Sequence, residues 1–178
     1  LWFLDQFEEK SATYNMSRAL TLKGPLDARA LQSAFMQIIE RHDSLRTYFP
    51  SKDGQPTAEC LRPEQMTEAF EIFDHKGIPE RENRLSLAHG ELTKQQTTPF
   101  ELATGPMIRI QLHQISEQEH LLGVTLHHII SDGWSLTVFV RELSTVYKAK
   151  IESAQAQLPE LPIRYSDYAK WQRDVLQG

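Results

Sequence analysis

The chain has 178 residues, 40% hydrophobic and 24% charged, enough for one globular domain, or one lobe of a larger body, with a buried core. Asp and Glu outnumber Lys and Arg 24 to 19, giving a net charge of -5 with no basic stripe, which excludes a general nucleic-acid binder. No apolar run approaches the roughly 18 residues of a membrane span, the opening Leu1-Trp2-Phe3-Leu4-Asp5-Gln6 is not built like a signal peptide, and a single cysteine, Cys60, excludes a disulfide framework or an all-cysteine metal cluster. A soluble, cytosolic protein with no nucleic-acid or membrane partner is expected.

No repeat, low-complexity tract or linker divides the chain. The first residues predict a short helix, and one that opens on Leu1 without a cap is expected of a chain cut from something longer. Tyr14 to Lys23 predicts a strand stopped by Gly24-Pro25, with Asp27 placed to N-cap the next helix. There Leu31, Phe35, Ile38 and His42, widened by Ala34 and Ile39, form an amphipathic stripe. Leu45 to Phe49 and Thr57 to Leu61 flank the turn Ser51-Lys52-Asp53-Gly54 and predict a hairpin.

Phe70 to Phe73 predicts a further short strand, and Glu80 to Gln96 a surface helix with Leu85, Ala88 and Leu92 on one side. Met107 to Ile115 alternates, with Ile108, Ile110 and Leu112 on one face and Arg109, Gln111 and His113 on the other. Leu121 to His128 answers it as the partner strand. Asp132 to Lys150 carries Leu136, Val140, Leu143 and Tyr147 in helical register, and a last helix, Ser166 to Leu176, follows Pro162. Together these elements predict an α/β (α+β) two-layer sandwich with a mixed sheet.

The segment His127-His128-Ile129-Ile130-Ser131-Asp132-Gly133-Trp134-Ser135 is a strand that ends, turns and starts a helix. Strand parity puts His128 with Leu122, Val124 and Leu126, and His127 on the opposite face, so the two imidazoles do not readily share one metal ion and no metal site is expected. Asp132 stands where a helix N-terminus favours a capping carboxylate, and Gly133 allows close backbone approach or a positive φ. A histidine, with an ordinary pKa of about 6.5, suits proton abstraction near neutral pH, although a strand histidine taken alone is more often a packing residue. His113 and His120 bracket a turn and are expected to be solvated. Trp2, Phe3, Tyr168 and Trp171 sit at helix-like positions that predict core, and Cys60, with no histidine beside it, is not expected to be a nucleophile.

His127-His128-x-x-x-Asp132-Gly133 resembles the signature of the condensation domains of nonribosomal peptide synthetases. Leu1-Trp2-Phe3-Leu4 resembles the end of that family's first motif. Arg41-His42-Asp43-Ser44-Leu45-Arg46-Thr47-Tyr48-Phe49 resembles its second, with Asp43 where Glu is usual, and Tyr165-Ser166-Asp167-Tyr168-Ala169-Lys170-Trp171 its fourth. Alone, His-x-x-x-Asp-Gly is less specific, because chloramphenicol acetyltransferase-like, carnitine and other acyltransferases share it. The resemblance implies a chloramphenicol acetyltransferase-like fold of two similar lobes around a V-shaped cleft. Motifs beyond the fourth are absent, so residues 1–178 are expected to be the N-terminal lobe, without its C-terminal lobe.

The implied activity is amide-bond formation between carrier-bound aminoacyl and peptidyl thioesters. Its implied partners are donor and acceptor peptidyl carrier proteins, an adjacent adenylation domain and the C-terminal lobe. Phosphopantetheine arrives on the carriers, with no cofactor held by the lobe itself. His128 is the implied catalytic residue, either taking the amine proton or holding the amine and the tetrahedral intermediate by a hydrogen bond; His127 is implied to be structural. Asp132 is implied to pair with an arginine, Arg46 first and Arg41 second, the alternative being a simple N-cap. Gly133 is implied to line the pantetheine channel, while Trp134 and Ser135 complete a string like that of the subtype joining an L-configured donor to an L-configured acceptor, which starter-type domains resemble too. Two other functions stay open, a self-associating CoA-dependent acyltransferase of the same fold and a non-catalytic docking module. With half the cleft missing, the lobe by itself is expected to be inactive.

Overall fold

The computed structural model describes residues 1–7 and 11–176. Helix α1 (Trp2–Phe7) leads to strand β1 (Asn15–Lys23) and helix α2 (Ala28–Arg41). Gly24, at φ 103°, ends β1 in a backbone conformation that favours glycine. Asp27 then caps α2 as expected, its side chain accepting from the Ala30 N–H at 2.9 Å. The hairpin follows with its first arm delayed, since Asp43–Arg46 is a 3₁₀ turn and pairing begins only at Thr47. Its rungs are β2 (Thr47–Tyr48), β3 (Ser51–Lys52), β4 (Gln55–Pro56) and β5 (Glu59–Cys60). A second 3₁₀ stretch, Pro63–Ala69, leads into β6 (Phe70–Asp74), α3 (Arg81–Thr97), β7 (Ile108–Ser116), β8 (Glu119–His127), α4 (Gly133–Ile151) and α5 (Tyr165–Leu176).

The main sheet runs β1-β8-β7-β6, with β1, β8 and β7 antiparallel in turn and β6 parallel to β7. It is the expected mixed sheet. Registers Ile108↔Leu126, Ile110↔Val124 and Leu112↔Leu122 align the even-numbered apolar positions on one face, and all six are buried there beneath α2 and α4. Phe35 of α2, fully buried, lies 5.2 Å from the Phe70 ring and 5.3 Å from that of Phe139 on α4.

Helix α3 lies on the opposite face, where Ala88 packs on Ile115 and Leu121, so this stretch of sheet has helices on both sides in addition to the layers expected. Gly123 permits that approach, because a Cβ there would come within 2.1 Å of Leu92 Cδ2. This cover overturns the expectation that His113 and His120 are solvated, since both are buried. His113 Nδ1 lies 2.9 Å from His75 Nε2, and its ring stacks on Phe73 at 4.7 Å. Burial, with His75 and His89 nearby, pushes the His113 pKa down to about 4.

Of the four α4 residues in helical register, Leu143 is buried and Leu136 and Tyr147 are partly buried against the core, which α4 also fills with Phe139 and Val146. Leu136, Val140 and Tyr147 also wall an open trough beside β1. One further core expectation is corrected. Trp2 is buried, with Nε1 donating to the Phe49 carbonyl, but Phe3, Tyr168 and Trp171 are exposed. For Tyr168 and Trp171 the reason lies in α5, which buries none of its side chains and is anchored by Ser166 Oγ donating to Asp43 Oδ2 at 2.6 Å. Among the described residues no helix is long and apolar enough to cross a membrane.

Candidate active site

The candidate site begins where β8 runs out. His127 ends the strand opposite Asn15, and the His128 N–H still donates to the Tyr14 carbonyl at 2.9 Å before the chain turns away from the sheet. The two imidazoles then enter different surroundings. His127 is 2% exposed, set 6.2 Å from the Phe100 ring and 6.1 Å from that of Tyr14. Its Nδ1 accepts the Ile129 N–H at 3.1 Å, so the neutral ring carries its proton on Nε2. Burial, reinforced by the neighbouring His128, pushes its pKa down to about 4, and His127 is a neutral turn-closing residue at ordinary pH.

His128 is exposed, and its ring is oriented by one contact, Nδ1–H donating to the Ser131 carbonyl at 2.7 Å. A carbonyl can only accept, so Nδ1 holds the proton and Nε2 of the neutral ring offers its lone pair, with no hydrogen-bond partner among the described residues. The turn therefore presents a proton acceptor in a fixed tautomer.

Asp132 supports this turn differently from the implied ion pair. It is exposed, accepts the Ser135 N–H at 2.7 Å and takes the Ser135 hydroxyl at 2.8 Å, while the Asp132 N–H donates to Ser135 Oγ at 2.7 Å. This reciprocal capping box starts α4 and, with the Trp134 N–H, holds the Asp132 carboxyl below its usual range. Arg46, the arginine first expected to pair with Asp132, donates instead to the carbonyls of Ile39, Leu61 and Glu40 at 3.0, 2.6 and 3.4 Å. A guanidinium spent on three backbone carbonyls pins the hairpin to α2 and leaves Asp132 to the helix. Arg41, the second choice, bonds the Glu142 carboxylate at 3.2 Å and also donates to the Pro159 carbonyl.

Gly133 opens α4 without a positive φ, and a Cβ added there would meet nothing within 4 Å. Trp134 is 79% exposed beside it, and Ser135 is committed to the cap.

Sequence reasoning missed Glu142, a carboxylate 5% exposed between α2 and α4 that accepts from His42 Nε2 at 2.7 Å as well as from Arg41. The available signal was its place beside Phe139, Leu143 and Val146 on the buried side of α4. Asp43 was also missed as the buried acceptor that ties the second motif to the fourth through Ser166. Cys60 is a free, exposed thiol. Among the described residues, no three His, Cys, Asp or Glu side chains are placed to hold a metal ion.

A mixed sheet covered by helices ends here in a histidine-bearing turn that starts a helix, and condensation-domain structures of the chloramphenicol acetyltransferase-like fold share this arrangement. The chain superposes over 99% of its length on the starter condensation domain of rhizomide synthetase RzmA, with TM-score 0.87, 18% identity and 42% of that chain covered. It superposes likewise on the structure described as the complex of the X-domain and OxyB from teicoplanin biosynthesis, with TM-score 0.79, 28% identity, and 99% of this chain and 36% of that one covered. Residues 1–178 match the Condensation domain family, and the chain belongs to it. It is 39% identical over 178 residues to one polypeptide of the linear gramicidin synthase of Brevibacillus parabrevis, covering all of this chain and 2% of that protein. It is 41% identical over 176 residues to cyclosporin synthetase simA of Tolypocladium inflatum, covering 97% of this chain and 1% of that protein. The chain thus spans only a few hundredths of the length of these relatives.

Proposed function

We propose that residues 1–178 form the N-terminal lobe of a condensation domain which, completed by a C-terminal lobe, joins two carrier-bound thioesters through an amide bond. The observation that carries this reading is the His128 tautomer, with Nδ1–H on the Ser131 carbonyl and the Nε2 lone pair open. The acceptor amine adds to the donor thioester carbonyl, so the C–N bond forms, the C–S bond breaks and the donor arm leaves as its thiol. Nε2 takes the proton from the attacking nitrogen and returns it to the leaving sulfur. This tautomer favours the proton-accepting role over donation to the intermediate, which Nε2 can perform only after it has been protonated. His127, neutral at working pH, places no second positive charge beside that base.

The C-terminal lobe closes the cleft from the side of the open trough between β1 and α4. That trough, of about 920 Å³, is walled by Leu20, Leu22, Leu122, Val124, Val140 and Tyr147. Exposure of Leu20 and Val140, at 43% and 42%, favours a covering apolar partner. Gly133, with open space around it, keeps clear the path of a phosphopantetheine arm, with Trp134 beside that path. Donor and acceptor carrier proteins supply the arms, an adenylation domain loads them, and donor and acceptor are both L-configured.

The test uses the complete synthetase that contains this lobe, its two carriers loaded with L-aminoacyl groups. Mass spectrometry of the acceptor carrier is expected to show gain of the donor acyl group, with a D-configured donor rejected. Equal use of both configurations would overturn the subtype. Acyl transfer from free CoA thioesters by a trimer of the 178-residue chain would establish the self-associating acyltransferase instead, and no transfer by the complete protein would leave a docking module.

A further inference from the structure

A second cavity, of about 180 Å³, lies behind the active-site turn. Its walls come from Leu45, Leu126, Ile130, Leu136, Val138 and Phe139. Four of these, Leu45, Leu126, Ile130 and Phe139, are buried side chains of the main core, so the cavity is cut into a rigid wall rather than a mobile surface. Ser131 also lines it, and the Ser131 carbonyl is the group that orients His128. The wall of the cavity and the support of the imidazole are therefore one turn of chain.

We propose that this cavity is a specificity subsite, seating the uncharged aliphatic or aromatic side chain of one of the two aminoacyl substrates while His128 attends to its reacting end. The inference rests on the condensation reading above. Volume is the first argument, since an apolar cavity of roughly 150 Å³ takes a benzene-sized guest. A leucyl or phenylalanyl side chain therefore matches the space, and a glycyl group leaves it empty.

The chemistry of the walls is the second argument. Of the polar side chains around the cavity, Ser135 is held by Asp132, and His42 Nε2 is held by Glu142 at 2.7 Å. Ser131 Oγ points to Met16 Sδ at 3.9 Å, which leaves the Ser44 hydroxyl, the Trp134 indole N–H and His42 Nδ1 uncommitted among the described lining residues. His42 is already paired with Glu142, so a charged substrate side chain would enter without a free counter-charge, at a desolvation cost that rejects it. Position is the third: Ile130 and Ser131 of the active-site turn line the cavity together with Trp134 and Ser135 at the start of α4, and the Ser131 carbonyl is the group that orients the His128 ring.

The experiment changes the size of the cavity in the complete synthetase. Donor and acceptor carriers are loaded, one at a time, with alanyl, leucyl, phenylalanyl or lysyl groups, and the rates of amide formation are compared. Val138→Phe is expected to shift the leucyl-to-alanyl rate ratio at least about tenfold toward alanyl, and Val138→Ala to shift the phenylalanyl-to-alanyl ratio toward phenylalanyl. The shift falls on donors or on acceptors, which tells whose side chain is seated, and lysyl is the poorest substrate on that side. Should Val138→Phe fail to fold, Val138→Ala decides alone. Ratios unchanged in the variants, or a loss shared equally by all side chains, would overturn the subsite. Amide formation that survives His128→Ala while its ratios still follow position 138 would overturn the catalytic reading and leave the subsite standing.

Discussion

Acid should loosen this fold through two buried imidazoles. His113 and His127 are 0% and 2% exposed, and both are held down to about 4, mainly because burial penalises the charged ring. In the unfolded chain each titrates at about 6.5. Between these values the unfolded state binds more protons than the native one, so stability is fully present above about pH 6.5 and is lost as the pH falls toward 4. At pH 5 an unfolded histidine is almost wholly charged while a native one with pKa about 4 is about one-tenth charged, a loss of about 2 kcal/mol for each ring relative to pH 7.5. Together the pair removes about 4 kcal/mol, a large share of the roughly 5–15 kcal/mol of an ordinary domain. Urea unfolding at the two pH values, followed by circular dichroism, measures it. His127→Asn keeps an oxygen to accept the Ile129 N–H but does not titrate, and should cut the difference by about half. His113→Asn should do the same. A parent and variants that all lose equal stability between the two pH values would refute the reasoning.

Three more outcomes follow from the packing and the turn. Asp132→Asn should keep both the α4 helix signal and amide formation in the complete synthetase, since Asn caps as well as Asp; an inactive but folded variant would show that the charge itself is needed. Glu142→Gln leaves Arg41 and His42 without their shared carboxylate, and because those side chains are 20% and 22% exposed the loss should be about 2–3 kcal/mol by urea unfolding, below the figure for a wholly buried pair. Gly123→Val drives a side chain into Leu92 and Gln95 of α3 and should lower stability by about 1–3 kcal/mol, whereas an unchanged unfolding midpoint would mean that the Leu92 side chain swings aside without cost.

Local patterns made most of the elements legible. Alternation in β7 and β8 reported their shared buried face. The Asp27 cap, and the turn in which Asp53 and Gly54 both take a positive φ, reported chain reversals that those residues themselves bring about. What escaped depends on which element covers which face. His113 lies on the face of β7 that alternation alone marks as polar, and it is buried where the Phe73 and His75 rings stack on it and α3 crosses nearby. Arg46 finds backbone carbonyls on both sides of its hairpin, partners that sequence spacing does not reveal. Tyr168 and Trp171 look like core in a helical pattern, yet α5 meets little of the described chain beyond the turn at Asp43. At the site, the His-His-turn-Asp sequence singled out the turn, whereas the His128 tautomer and the cap made by Asp132 depend on how that turn folds.

The most direct test is the single-turnover rate of amide formation in the complete synthetase with His128→Ala, beside His127→Asn as a folded control. Loss of the Nε2 base predicts a fall of about 10²–10⁴-fold for the first and a rate near the parent's for the second. A His128→Ala protein that forms the amide as fast as its parent would contradict the account.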